Sequence, residues 1–213
     1  MPRLKQVFFD LDGTLTDPKL GITRCIAYAL AEMGEPVPDT QALTWCIGPP
    51  LLDSFVHLVG ADRAQQGVAL YRARFAEIGL FENNPYPNIH DTLEAIAQRG
   101  HQLFVASSKP KVFVDRILER YRLMAFFSQT YGSELDGNLT DKSELLAHAL
   151  QHSAVNPVSA LMIGDRKHDA IGARNNQMDF VGVLYGYGDQ AEFDSVGVAD
   201  LVSHHAELLD HLS

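Results

Sequence analysis

The fold of this 213-residue chain is decided by residues 7–14, Val7-Phe8-Phe9-Asp10-Leu11-Asp12-Gly13-Thr14. The apolar run at 7–9 is typical of a short β-strand buried on both faces, as in parallel sheets. Two acidic residues follow, and a glycine after them favours a sharp turn. Because ligands bind at the carboxyl ends of strands in parallel α/β sheets, the stretch predicts a strand that opens into a functional loop.

The chain beyond this strand changes character at about residue 84. Between Asp17 and Asn84 the apolar spacing is helical, and no strand is indicated. Helices are predicted there at 21–33, 51–59 and 62–78. After it, predicted helices (89–99, 112–121, 142–151, 169–175) alternate with predicted strands (102–106, 160–163, 180–184) and an apolar stretch at 127–131. The alternation indicates right-handed βαβ units in a parallel sheet, with an all-helical lobe inserted after the first strand.

The composition excludes several functional classes. The chain has 46% hydrophobic residues and a formal net charge of −10, from 17 Lys plus Arg against 27 Asp plus Glu. Such a charge repels nucleic acid polymers and anionic membranes. A phosphate-bearing ligand must therefore be bound by a local feature that offsets this repulsion, such as a metal ion. No signal peptide or membrane-spanning stretch is indicated, which predicts a cytoplasmic protein. Cys25 and Cys46 lack the spacing of a disulfide framework or a zinc site.

The candidate catalytic and metal-binding residues lie mainly at the predicted ends of strands. Asp10 and Asp12 follow the first strand, and Gly164-Asp165-Arg166-Lys167-His168-Asp169 follows a later one. Four carboxylates at neighbouring strand ends repel one another unless a cation compensates them, and such oxygen ligands suit Mg²⁺. Ser107 at a third strand end and Lys142 at a helix start complete a predicted phosphate clamp.

In this order, and with a helical insertion after the first, the motifs resemble the four motifs of the haloacid dehalogenase superfamily. The resemblance implies an α/β fold with a Rossmann-like, three-layer parallel-sheet core and a small all-helical cap. The core is expected at residues 1–15 and 85–213, and the cap at 16–84. Three further stretches resemble a bacterial branch assigned as 5′-nucleotidases or phosphoglycolate phosphatases: Ile47-Gly48-Pro49-Pro50-Leu51, Ser107-Ser108-Lys109-Pro110 and Gly132-Ser133-Glu134-Leu135-Asp136-Gly137.

The same resemblance implies roles for individual residues. Asp10 would be the nucleophile that forms an aspartyl-phosphate, and Asp12 the acid that protonates the leaving alcohol and later the base that activates water. Mg²⁺ would be held by Asp10, the Asp12 backbone carbonyl, Asp165 and, through water, Asp169. Ser107 and Lys142 would bind the transferring phosphoryl group.

Substrate contacts are expected from two places. The core would supply Gly13, Thr14 and Ser108, at backbone positions near the phosphate. The cap would supply the cations Arg24 and Arg72, with Arg74 as a further candidate. Candidate stacking surfaces in the cap are Trp45, Phe55, Tyr71 and Phe75, although Trp45 and Phe75 are expected to serve as cap core.

The predicted function is a Mg²⁺-dependent phosphatase of small phosphorylated metabolites, of the 5′-nucleotidase or phosphoglycolate phosphatase type. Two alternatives stay open. A phosphosugar mutase of the β-phosphoglucomutase type would share every core motif, and a non-catalytic protein could bind a phosphate ligand through the same fold, although it would not need Asp12. Both a monomer and a homodimer are compatible with the sequence.

Overall fold

The computed structural model describes residues 5–212, and the chain divides into two units. One unit contains the residues up to Thr16 and those from Pro85 onward, and the other contains Asp17–Asn84. The first unit carries the large sheet and the second carries helices, so each is described by itself.

The strands occur mainly in the first unit. They are β1 (Gln6–Phe9), β2 (Thr16–Asp17), β3 (Asn84–Pro85), β4 (Gln102–Pro110), β5 (Gln129–Ser133), β6 (Ala160–Gly164), β7 (Asp179–Val183) and β8 (Leu201–Val202). Within residues 5–212, six of them form one sheet in the order β5-β4-β1-β6-β7-β8, and every pairing in it is parallel. The short strands β2 and β3 form a separate sheet.

The α-helices lie in both units. They are α1 (Lys19–Glu32), α2 (Leu51–Val59), α3 (Ala61–Glu77), α4 (Ile89–Gln98), α5 (Lys111–Arg120), α6 (Lys142–Ser153), α7 (Lys167–Asn175), α8 (Gln190–Asp194) and α9 (Leu208–His211). Short 3-10 helices occur at Thr40–Cys46, Gly79–Phe81, Met124–Phe126, Pro157–Ser159 and His205–Glu207. None of the helices formed by residues 5–212 combines the length and apolar character that a membrane crossing needs.

The position of β1 explains where the chemistry lies. The chain first adds β4 and β5 on one side of β1 and then returns to add β6, β7 and β8 on the other side. The strand order therefore reverses at β1, and ligands of open α/β sheets bind at the carboxyl edge of such a reversal. The predicted α/β fold with a parallel sheet is confirmed.

The core of the first unit forms around β1. Phe8 has no solvent exposure and lies opposite Phe104 on β4 and Met162 on β6. The rings of Phe8 and Phe104 are stacked with centroids 4.6 Å apart. Apolar side chains of α6 and α7, including Leu146 and Ala173, join the same cluster. Burial on both faces explains why the strand sequence is continuously apolar rather than alternating.

The second unit has its own apolar core, built by α1, α2 and α3. Phe55, Tyr71 and Phe75 are buried, with the rings of Tyr71 and Phe75 stacked at 5.3 Å. Their expected alternative use as substrate-stacking surfaces is therefore wrong, because these helices need their aromatic faces to form a core. Trp45 is different: it is 40% exposed, and its ring meets that of His57 edge-on.

Several elements differ from the expectation in their bounds. β4 runs past the predicted end at Ala106, since Ser107 still pairs with Gly132, and Pro110 pairs with Ser133 after a register shift. α7 starts two residues before the predicted Asp169, whose carboxylate accepts the Arg166 backbone N–H at 3.1 Å and closes the first turn. α8 was not predicted; the Asp189 side chain caps it by accepting the Glu192 N–H at 2.8 Å.

The stacked pair in the core gives a test of the packing. We expect Phe8→Ala to lower the free energy of unfolding by about 3–5 kcal/mol, because it removes a buried ring and leaves a cavity. Urea denaturation followed by far-ultraviolet circular dichroism measures the loss. Val158→Ala, at a side chain that is 60% exposed, serves as the control and should change stability by less than about 0.5 kcal/mol. Equal effects of the two substitutions would contradict this description of the core.

Candidate active site

The carboxyl edge of the sheet brings together residues that are far apart in the sequence. Asp10 directly follows β1, and Asp165 directly follows β6, the neighbour of β1. Lys142 is the first residue of α6, and Asp169 lies in the first turn of α7. One carboxylate oxygen from each of Asp10, Asp165 and Asp169 lies within 4.8 Å of the others, and all three residues are buried.

Lys142 is the cation at the centre of this group. Its Nζ lies 2.9 Å from Asp10 Oδ1 and 2.8 Å from Asp169 Oδ1. It also donates to the Ala106 carbonyl of β4 at 2.9 Å. The helix start is held by Asp141, whose side chain accepts the backbone N–H groups of the second and third helical residues. Lys142 thus ties α6 to two strands and to α7 through one buried ammonium group.

The pKa values of these groups reflect crowding of charge away from water. Burial alone would lower the pKa of Lys142, but the carboxylates of Asp10 and Asp169 outweigh it and raise the pKa above its usual value. Burial, followed by the nearby charges of Asp169 and Asp10, raises the pKa of Asp165 well above its usual range. Burial also raises the pKa of Asp169, although Lys142 opposes the shift. Burial is thus the main cause of the raised pKa values of Asp165 and Asp169, and repulsion between neighbouring carboxylates adds to it.

Asp165 is held from one side only. Its Oδ2 accepts the Tyr187 backbone N–H at 2.8 Å, whereas its buried Oδ1 has no hydrogen-bond partner among residues 5–212. Gly13 lies against this carboxylate with a φ of +87°, and a Cβ at Gly13 would collide with it. A buried, unpartnered carboxylate oxygen beside two further carboxylates is a donor set that fits a divalent cation.

Asp12 takes part in a second ion pair. Lys109 Nζ contacts Asp12 Oδ2, and the two side chains are only 7% and 11% exposed. Asp12 Oδ1 is buried and has no hydrogen-bond partner within the described part of the chain. Burial raises the pKa of Asp12, and the positive charge of Lys109 partly offsets that rise. Asp12 is thus paired with a different lysine from the one that contacts Asp10 and Asp169.

The other predicted core residues lie in the same unit. Ser107 is buried within β4, and its Oγ accepts the Lys109 backbone N–H at 3.4 Å. The Ser108 carbonyl accepts the Ser133 hydroxyl at 2.8 Å. Thr14 is fully buried, and its carbonyl accepts the Tyr185 hydroxyl at 3.0 Å. These contacts fix the backbone of both segments that were predicted to bind phosphate.

The predicted cap cations lie in the second unit. Arg24 on α1 is ion-paired with Glu82 at 2.8 Å, and Arg74 on α3 contacts the same carboxylate at 2.9 Å. Glu82 therefore joins two helices of that unit through two arginines. Arg72 is a partly buried residue of α3. The structure gives Arg24 a role within its own unit, and a substrate contact by Arg24 or Arg72 stays a prediction.

Comparison with known proteins identifies the family. The family model described as haloacid dehalogenase-like hydrolase matches residues 7–183. The chain belongs to this family. The predicted family is thereby confirmed, and a predicted phosphatase from Clostridium acetobutylicum has the same fold, with a TM-score of 0.93 and 37% identity over 97% of this chain and 99% of that one.

Three curated relatives carry different names. A 5′-nucleotidase of Pseudomonas aeruginosa is 46% identical over 89% of this chain and 87% of its own length. Tyrosine-protein kinase PtkA of Mycobacterium tuberculosis is 34% identical over 95% of this chain and 69% of its own. A phosphoglycolate phosphatase of Aliivibrio fischeri is 30% identical over 97% of this chain and 95% of its own. The predicted enzyme class, a phosphoric monoester hydrolase of this haloacid dehalogenase-like family, is confirmed by the phosphatase relatives.

Sequence reasoning missed three groups that support the carboxylates in this family member. Lys109 pairs with Asp12, the Tyr187 backbone N–H holds Asp165, and Glu192 binds the Arg166 guanidinium at 2.9 Å and the Lys167 N–H at 2.8 Å. The glycine pair at 186 and 188 is a sequence signal for the second group, because a Cβ at either position would collide with Asp165. A single lysine or glutamate in a sequence gives no signal of the direction in which its side chain points.

The loop behind Asp165 provides a test of the site geometry. A Cβ at Gly186 would collide with Asp165 and with the Gly13 carbonyl, so we expect Gly186→Ala to lower the free energy of unfolding by about 1–3 kcal/mol. Urea denaturation measures the change. Gly197→Asn is the control, because a Cβ at Gly197 meets nothing within 4 Å and asparagine tolerates its φ of +72°. Unchanged stability of the Gly186 variant would show that this loop does not pack against Asp165 as described.

Proposed function

We propose that this haloacid dehalogenase-like hydrolase is a Mg²⁺-dependent phosphatase of small phosphorylated metabolites that acts through an aspartyl-phosphate. Nucleoside 5′-monophosphates are the leading substrate class, and 2-phosphoglycolate is the second. The observation that carries the proposal is the convergence of Asp10, Asp165 and Asp169 at the carboxyl edge of the sheet, with the Lys142 ammonium in contact with Asp10 and Asp169. The order of substrates follows the higher identity to the relative named 5′-nucleotidase.

The donor set supports the choice of metal. Asp10, Asp165 and Asp169 offer carboxylate oxygens within 4.8 Å of one another, and Asp165 Oδ1 has no hydrogen-bond partner among residues 5–212. Mg²⁺ prefers a few carboxylates together with water and substrate phosphate. Asp10, Asp165 and the Asp12 backbone carbonyl would hold the ion, and Asp169 would reach it through water. When bound, it would supply positive charge that offsets the charge of the phosphate oxygens.

Asp10 is the proposed nucleophile. Lys142 contacts one of its oxygens, which orients the carboxylate at the end of β1. In the first step an Asp10 oxygen bonds to phosphorus, the ester P–O bond breaks, and the departing alcohol oxygen takes a proton from Asp12. In the second step Asp12 takes a proton from water, the water oxygen bonds to phosphorus, and the bond between Asp10 and phosphorus breaks. The products are an alcohol and inorganic phosphate, and both aspartates return to their starting state.

Ser107 and Lys142 are the proposed ligands of the transferring phosphoryl oxygens, together with the backbone N–H of Ser108. The N–H groups of Gly13 and Thr14 donate to the Thr16 and Leu11 carbonyls at 2.8 and 3.3 Å, so phosphate contacts by them require these bonds to open. Catalysis of phosphoryl transfer depends mainly on positioning and on neutralising charge. The buried ion pair of Lys142 and the fixed backbone of the two segments meet both requirements. Acid–base catalysis by Asp12 adds about 10²- to 10⁴-fold.

The substrate class is tested by phosphate release in the presence of Mg²⁺. The panel contains nucleoside 5′-monophosphates, 2-phosphoglycolate, sugar phosphates and ATP with a tyrosine peptide. We expect the highest kcat/KM for nucleoside 5′-monophosphates, loss of activity in EDTA and recovery on adding Mg²⁺. Isomerised sugar phosphate without phosphate release would indicate a mutase, and phosphotyrosine would indicate a kinase. Full activity in chelator would contradict the metal assignment.

The covalent step is tested by substitution of the nucleophile. Asp10→Asn keeps the size of the side chain but removes the attacking carboxylate, so we expect phosphate release to fall by more than about 10³-fold. Rapid acid quench of the wild-type enzyme with ³²P-labelled substrate should trap a labelled protein that Asp10→Asn does not form. Asp115→Asn, at a carboxylate that pairs with Lys111 in the same unit, is the control and should release phosphate normally. Substantial turnover by Asp10→Asn would exclude the aspartyl-phosphate route.

A further inference from the structure

The two oxygens of Asp12 have different surroundings. Oδ2 is in an ion pair with Lys109 Nζ, between side chains that are almost completely buried. Oδ1 is buried as well, but it has no hydrogen-bond partner within residues 5–212. A carboxylate that is held by one oxygen has a restricted rotamer and offers its other oxygen in a defined direction.

The backbone of β4 explains how Lys109 reaches Asp12. The pairing of β4 with β5 shifts register between Ser107 and Pro110, and Lys109 lies within the shift. The Ser133 hydroxyl holds the Ser108 carbonyl at 2.8 Å, which ties the irregular segment to β5. Irregularities of this kind redirect side chains and are frequent next to active sites.

A neighbouring lysine, Lys111, has different partners from Lys109. Lys111 lies two positions along the chain, at the start of α5. Its Nζ contacts Asp115 at 2.6 Å and the Thr130 hydroxyl at 3.1 Å, and its side chain is 45% exposed. Two lysines of one segment therefore have different partners, and only Lys109 contacts a residue of the proposed machinery.

We propose that Lys109 is a positioning residue for the reaction: it holds Asp12 Oδ2 so that Oδ1 is directed to the leaving-group oxygen. The inference rests on the acid–base role proposed above for Asp12. Asp12 follows Asp10 by two positions, and two carboxylates so close would repel each other without local cations. Lys142 compensates Asp10, and Lys109 compensates Asp12. Proton transfer needs hydrogen-bond contact, and a displacement of about 1 Å can cost about 10²-fold in rate.

The leaving group provides the decisive readout. Phenyl phosphate and p-nitrophenyl phosphate have similar shapes, but p-nitrophenolate departs with little need of a proton. We expect Lys109→Met to lower kcat for phenyl phosphate by about 10- to 100-fold with little change in KM. The same variant should form the phosphoenzyme from p-nitrophenyl phosphate close to the wild-type rate, measured as the p-nitrophenolate released in the first turnover, because only this step is independent of the acid. Lys109→Arg should recover much of the lost rate because it retains the positive charge.

Lys111→Met is the matched control, since it makes the same substitution in the same segment. It should hydrolyse both esters like the wild-type enzyme. Thermal unfolding of each variant verifies that it is folded. If Lys109→Met does not fold, the test uses Lys109→Gln, which keeps a hydrogen-bond donor but lacks the charge. Equal losses in the first-turnover release of phenol and p-nitrophenolate, or a rise in KM alone, would overturn the inference and indicate that Lys109 binds the phosphoryl group.

A double-mutant cycle separates this inference from the proposed function. If Lys109 acts through Asp12, adding Lys109→Met to Asp12→Asn should cause no further loss with phenyl phosphate. Multiplied losses in the double variant would overturn the positioning role and leave the role of Asp12 intact. Wild-type turnover by Asp12→Asn alone would instead overturn the proposed acid–base step, and the inference with it.

Discussion

The contact of the Lys142 ammonium with Asp10 and Asp169 is the interaction on which the rest of the site depends. It joins the end of β1 to the first turn of α7, and a third bond to the Ala106 carbonyl adds β4. Buried charges are tolerated only when partners compensate them, and loss of one partner typically costs about 3–5 kcal/mol. Without this ammonium group, Asp10, Asp165 and Asp169 would face one another within a few ångströms and away from water.

The charge balance of the core constrains what the site can bind. Of the four aspartates buried at this site, Asp12 is paired with Lys109, and Asp10 and Asp169 share Lys142. Among residues 5–212, Asp165 accepts only the Tyr187 backbone N–H. The raised pKa values of Asp165 and Asp169 have the same origin, namely burial and repulsion between carboxylates. A phosphate ester would add further negative charge to this region. The proposed Mg²⁺ would reduce both repulsions at once, which is why the metal and the substrate belong to a single proposal.

The fold is shared by relatives with different names, so it cannot select the substrate. Relatives with 30–46% identity include proteins named 5′-nucleotidase, tyrosine-protein kinase and phosphoglycolate phosphatase. Function depends on particular sites rather than on the fold that carries them. In the second unit, three of the candidate aromatic residues form the core and Arg24 is paired with Glu82. The exposed Trp45 and the predicted cations Arg24 and Arg72 stay candidates for substrate selection there.

The family, the α/β class, the alternation of strands and helices, and the aspartates of the site can all be predicted from the amino-acid sequence. This is possible because apolar strands followed directly by acidic residues recur along the chain, and such patterns depend only on residues close together in sequence. The groups that support those aspartates emerge only from the folded chain: Lys109 at Asp12, the Tyr187 N–H at Asp165, and Glu192 at the start of α7. These contacts join residues that are 22 to 97 positions apart in the sequence. They depend on a register shift in β4, on close packing that glycine permits, and on α8, which the sequence did not predict. None of these features has a local periodic pattern, so side-chain direction followed only from how the chain packs.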